Sequence, residues 1–129
     1  MPLLDSIKKR EDFVNLNNKM AAKVISGGFI LLMGKTPLKR IEKNTELQKF
    51  SRFGITVTKK ISKKAVIRNK IRRRLRETIR KNLVNLGLEK FDYVFIARNF
   101  IINMDFSKLL EDVQNAILKA NKQTNNLKL

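Results

Sequence analysis

Residues 52–83 read RFGITVTKKISKKAVIRNKIRRRLRETIRKNL, and two periodicities divide them. From Arg52 to Thr58 the chain alternates, with Phe53, Ile55 and Val57 on one face and Gly54, Thr56 and Thr58 on the other. This is the two-residue period of a strand with one buried face. Past Ser62 the period changes: Ile67, Ile71, Leu75, Ile79 and Leu83 recur every fourth position. On a helix these form one slowly winding apolar ridge, suited to packing on a sheet. A half-buried strand running into a helix that needs cover predicts a layer of helices on a sheet.

The same segment carries the charge. Lys59, Lys60, Lys63, Lys64, Arg68, Lys70, Arg72, Arg73, Arg74, Arg76, Arg80 and Lys81 are opposed within it by Glu77 alone. Arg68, Arg72, Arg76 and Arg80 form a second ridge about 100° around the helix from the apolar one, with about 6 Å of rise between successive members. A solvated helix face usually mixes signs, because like charges at i, i+4 destabilise a helix by a few tenths of a kcal/mol each. This helix accumulates such penalties, and an external polyanion would turn them into favourable contacts, with bidentate geometry at each arginine. A membrane surface is the weaker anionic partner, since lipid would claim the apolar ridge that the flanking strands need.

The rest of the chain fits one domain, residues 1–129, with 29 Lys plus Arg against 11 Asp plus Glu and a net charge of +18. With 43% hydrophobic residues it can build a core. Having neither Cys nor His, it lacks thiol nucleophiles, the usual zinc ligands and the side chain that most often moves protons near neutral pH. Ser6 to Met20 spaces Phe13, Leu16 and Met20 as a short amphipathic helix, with Glu11 and Asp12 as surface charges near its start. Gly28 to Gly34 and Phe91 to Ala97 read as further strands, and Lys35 to Ser51 as a polar loop. Asp105 is an N-cap candidate for a helix through Phe106, Leu109, Leu110, Val113 and Ile117, and residues 120–129 are expected to fray. No stretch has the makings of a signal peptide, and the longest uncharged run, Val24 to Gly34, is 11 residues where a spanning helix needs about 20. The expected location is the cytoplasm.

The string Phe53-Gly54-Ile55-Thr56-Val57-Thr58-Lys59-Lys60, followed by Ala65-Val66-Ile67-Arg68-Asn69-Lys70-Ile71-Arg72-Arg73-Arg74-Leu75-Arg76-Glu77, resembles the signature of the bacterial ribonuclease P protein subunit. The resemblance extends to Arg10-Glu11-Asp12-Phe13 and to Asp92-Tyr93-Val94-Phe95-Ile96-Ala97-Arg98, and covers roughly residues 7 to 118. It implies an α/β (α+β) two-layer sandwich of order αβββαβα, a ribosomal protein S5 domain 2-like fold with a central, mostly antiparallel sheet. It also implies a left-handed βαβ crossover, which pattern alone would not suggest, since about 98% of such connections are right-handed.

In function, the resemblance implies the protein subunit of an endoribonuclease. Its partner is a catalytic RNA that removes the 5′ leader of precursor tRNA, with the magnesium ions held mainly by that RNA and none by the protein alone. No catalytic residue, no membrane and no obligate protein partner are implied. The dispersed carboxylates agree: adjacent helix residues such as Glu11 and Asp12, or Glu111 and Asp112, diverge by about 100°, unlike ligands of a two-metal site. Lys59, Lys60, Lys63, Lys64, Arg68, Asn69, Lys70, Arg72, Arg73, Arg76 and Arg80 are the implied RNA-binding residues, and Phe13 and Arg52 the leader-binding ones. Departures from the family pattern are Asn17 and Leu32 where relatives often carry aromatics, and Lys70 where Arg is usual, which loses the bidentate fork. Charge alone would equally suit a structural RNA-binding protein such as a ribosomal protein or RNA chaperone, and a self-sufficient metal-dependent nuclease is the least favoured alternative.

Overall fold

The computed structural model describes residues 5–7, 10–43 and 51–127. In chain order the elements are β1 (Asp5–Ser6), α1 (Arg10–Lys19), β2 (Ala22–Ile25), β3 (Phe29–Lys35), α2 (Leu38–Lys43), β4 (Arg52–Thr56), α3 (Ala65–Leu86), β5 (Phe91–Ala97), a 3₁₀ turn (Asn99–Asn103) and α4 (Phe106–Leu127). The strands form one mixed sheet in the order β1-β4-β5-β3-β2. β2 pairs with β3 and β3 with β5 antiparallel, whereas β4 pairs with both β5 and β1 parallel. Helix α3 therefore connects two neighbouring parallel strands, as the βαβ unit implied by the family resemblance expects.

Strand alternation divides the side chains between two faces. On the inner face Phe29, Leu31, Met33, Phe53, Tyr93 and Phe95 pack under α3 and α4, which contribute Ile71, Leu75, Ile79, Leu83, Leu109, Val113 and Ile117. The Phe29 and Phe95 rings meet at 5.4 Å in a tilted pair, an arrangement that contributes about 0.5–1.5 kcal/mol beyond burial. On the outer face a smaller cluster of Ile7, Leu16, Leu32 and Val94 lies under α1, with Phe13, Met20, Ile30 and Ile96 at its margins. Two glycines let α1 approach the sheet: a Cβ at Gly34 would overlap Leu16 Cδ1, and one at Gly54 would stand 2.7 Å from two ring carbons of Phe13.

Several expectations are corrected. The tail expected to fray from Ala120 continues α4 to Leu127, because Ala120 and Thr124 are buried and extend the helix's core-facing stripe. The loop expected from Lys35 to Ser51 contains α2, with residues 44–50 outside the described region, as are 128–129 of the expected tail. The first helix is shorter than Ser6 to Met20, and Asp5–Ser6 instead pairs as a strand with Arg52 and Phe53. The sheet is mixed, with its longest ladder antiparallel, in keeping with the expected α+β fold. Among the described residues no helix is long and apolar enough to cross a membrane.

Candidate nucleic-acid interface

The apolar ridge of α3 fixes the helix on the sheet, and its cations take their positions from that anchoring. Arg68 is half-buried and donates from Nη1 to the carbonyls of Ser62 and Lys63, both at 2.9 Å. Arg72 donates to Asn69 Oδ1 at 3.0 Å and to the carbonyl of Val57 at 3.2 Å. These acceptors are neutral, so the two guanidiniums are oriented while their charge stays uncompensated. Arg73, Arg76 and Arg80 are exposed, and among the described residues none of them has a carboxylate partner. The acid within α3, Glu77, pairs with Lys81 at 3.6 Å rather than with any arginine.

Lys59 and Lys60 are exposed in the turn after β4, closed by the Ile61 N–H donating to the Thr58 carbonyl. Lys63 and Lys64 are exposed at the start of α3, whose first turn carries no acid. The positive end of the helix dipole adds to their field. Asn69 and Lys70 are exposed in the next turn. Every RNA-binding residue expected from the sequence therefore lies on α3 or the loop that leads into it.

A cleft of about 210 Å³ separates α1 from this helix, lined by Ser6, Ile7, Phe13, Phe53, Gly54, Ile55, Arg72, Arg76 and Arg80. Phe13 is half-buried: its ring rests over Gly54 and presents its remaining surface to the cleft. Phe13 thus packs on the sheet, as its core reading expects, while part of its ring stays open to the cleft. Leu32 is buried beneath α1 and offers no stacking surface, while Asn17 is exposed.

Arg52 is not part of this surface. Expected to lend charge to the cleft, it is buried between two acids, donating Nε to Asp92 Oδ1 at 2.8 Å, Nη2 to Asp92 Oδ2 at 2.6 Å and Nη1 to Asp12 Oδ2 at 3.3 Å. Burial alone would lower its pKa, but the hydrogen bonds and charges of Asp92 and Asp12 outweigh that and raise it, so the site keeps a full cation. Asp12 is likewise corrected from a surface charge to a buried one, paired also with Arg40 at 3.1 Å. Glu11 remains exposed, its carboxyl held below the usual range by its hydrogen bond to Lys39 and the charges of Lys39 and Arg40. Sequence reasoning missed Arg40, Asp92 and Thr36, whose hydroxyl donates to Asp92 Oδ1 at 2.7 Å. It also missed Gly54, although a glycine inside a strand is itself a signal of close approach.

The donor set for a resident metal ion is poor. Among the described residues no three acids gather as ligands, and the two buried carboxylates, Asp12 and Asp92, are spanned by Arg52.

A mixed sheet backed by two long helices, one of them bearing an unneutralised row of arginines beside an aromatic cleft, defines a polyanion-binding α+β domain. The family model described as Ribonuclease P matches residues 1–121. The chain is 38% identical over 118 residues to the ribonuclease P protein component of Rickettsia canadensis, covering 90% of this chain and 97% of that one. It is 37% identical to that of Erythrobacter litoralis, covering 88% and 84%. Among solved structures, the ribonuclease P protein from Thermotoga maritima superposes with a TM-score of 0.72 at 26% identity, covering 89% and 96% of the two chains. That from Staphylococcus aureus gives 0.69 at 28%, covering 92% and 96%. The chain belongs to the ribonuclease P protein family, whose members are protein components of that endoribonuclease. A purely structural RNA binder is thereby disfavoured.

Proposed function

We propose that this protein promotes 5′ maturation of tRNA by binding two RNAs at once: the catalytic RNA of ribonuclease P along the exposed side of α3, and the single-stranded leader of precursor tRNA in the cleft beside Phe13. One observation carries the reading. Arg72, Arg76 and Arg80 line the cleft that also contains Phe13, so one cation row borders both surfaces and can hold the leader where it leaves the catalytic RNA. A base stacked on Phe13 would contribute about 1–3 kcal/mol, largely regardless of sequence, because every base has a π face.

The chemistry is assigned to the RNA and to magnesium ions that it holds. The chain's own part is to place fixed positive charge where RNA strands crowd together, lowering the concentration of magnesium needed to bring them into contact, and to orient the leader. It would act in the cytoplasm alongside that RNA. Comparing the holoenzyme's affinity for tRNA with and without a leader tests the assignment. Stronger binding of the leader-bearing form, lost on Phe13→Ala, is expected; equal affinities would sink the leader role.

A further inference from the structure

Lys70 and Arg72 stand about 200° apart around α3, and the Lys70 side borders a second opening. A groove of about 240 Å³ lies between α3, the 3₁₀ turn and α4, lined by Ile67, Ile71, Ile101, Ile102 and Leu109 with Lys70 and Arg74 as its polar residues. No carboxylate lines it, and among the described residues neither cation has an ion-pair partner. Ile102 is 44% exposed, an apolar wall open to solvent. Its occupant must therefore combine an apolar body with negative charge.

We propose that this groove receives one unstacked nucleobase of the partner RNA, with the base against the isoleucine walls and an adjoining phosphate held by Lys70 and Arg74. The inference rests on reading α3 as the RNA-gripping helix and adds a distinct binding site to it. Lys70 lines the groove, and the exposed Arg73, three residues on, is its neighbour on the solvent side of α3, so the groove borders the basic face of the helix. A strand gripped at Arg73 is within one helical turn of Lys70 and the groove. An acidic peptide has the same sign, but it would have to engage the groove separately from the nucleic acid beside it. The lining holds no amide or hydroxyl side chain to read a base edge, so the site accepts a base by shape and charge and does not discriminate among the four.

The full-length protein carrying p-benzoylphenylalanine at position 102 or, as a control, at position 73 tests this in complex with a bacterial ribonuclease P RNA. Irradiation should crosslink both positions to the RNA, with position 102 reaching a discrete nucleotide. Ile102→Ala should lower RNA affinity about tenfold by removing part of the wall against which the base packs, equally at every salt concentration, because no counterion release is involved; Arg73→Ala should flatten the salt dependence instead. RNA crosslinks from 73 but not 102, together with unchanged affinity of Ile102→Ala, would overturn the groove and leave the α3 reading standing. Absence of crosslinks from both positions would overturn both. Displacement of the position-102 crosslink by polyglutamate but not by polyuridylate would assign the groove to acidic protein and refute the nucleotide.

Discussion

The guanidinium of Arg52 holds the carboxylate of Asp92 through two hydrogen bonds, at 2.8 and 2.6 Å, with both side chains buried. Its remaining reach goes to Asp12, one residue before Phe13 in α1. The pair thus joins β4 and β5 to the helix that forms one wall of the cleft, and ties the position of Phe13 to a buried charge cluster.

Arg52→Leu leaves Asp92 with Thr36 and Asp12 with Arg40 as compensation. Breaking a buried pair by removing one partner costs about 3–5 kcal/mol, and urea unfolding should show a loss in that range. A change below about 1 kcal/mol would mean that the cluster does not anchor α1.

Tyr93 yields a prediction at alkaline pH. Its hydroxyl accepts from the Leu88 N–H at 3.0 Å and donates to Asn121 Oδ1 at 2.6 Å, and burial pushes its pKa up to about 12 against the hydrogen bond from Leu88. The unfolded chain titrates near 10. The contribution of Tyr93 is therefore fully present below pH 10 and is lost as pH rises towards 12, by about 2–3 kcal/mol in all. Tyr93→Phe should cost about 1–2 kcal/mol at neutral pH and lack this alkaline component. Parallel stability curves for the two proteins from pH 9 to 12 would contradict it.

Arg76 and Arg80 project from α3 without a carboxylate partner among the described residues. Replacing either with alanine should change stability by no more than about 0.5 kcal/mol. The slope of log affinity for ribonuclease P RNA against log salt should fall by about 0.7–0.9 for each phosphate left without its cation. Titrations between 50 and 200 mM salt measure this, and an unchanged slope would remove these residues from the interface.

Gly54→Ala places a Cβ 2.7 Å from the Phe13 ring and must displace the ring from its seat on the strand. Both Gly54→Ala and Phe13→Ala should weaken binding of leader-bearing tRNA, the latter by about 5- to 150-fold for 1–3 kcal/mol of stacking. Leaderless tRNA should bind as before. Equal losses for both substrates would indicate general damage to the fold rather than loss of a stacking surface.

Much of this arrangement was legible in the sequence because it is periodic. β4 follows from alternation, α3 from the fourfold apolar spacing and β5 from a run rich in aromatic and β-branched residues; the row of Arg68, Arg72, Arg76 and Arg80 follows from its place beside the apolar ridge, and the other candidate RNA-binding residues only from the family resemblance. β2 was not legible: Ala22, Lys23, Val24 and Ile25 are too few to establish a period, although their burial alternates in the fold. The end of α4 was missed because Ala120 and Thr124, both buried, are too small or too polar to register as an apolar stripe. The Arg52 cluster had no local signature at all. Asp12 and Glu11 are adjacent acids, and only tertiary packing places one under α1 against Arg52 and the other in solvent.

The most direct test of the central claim is cleavage of precursor tRNA by a bacterial ribonuclease P RNA at low magnesium, with and without this protein. Cleavage should be faster when the protein is added, with a smaller acceleration when Arg72, Arg76 and Arg80 are replaced together by alanine. Cleavage no faster with the protein than without it would rule out a role for this chain in assisting the RNA.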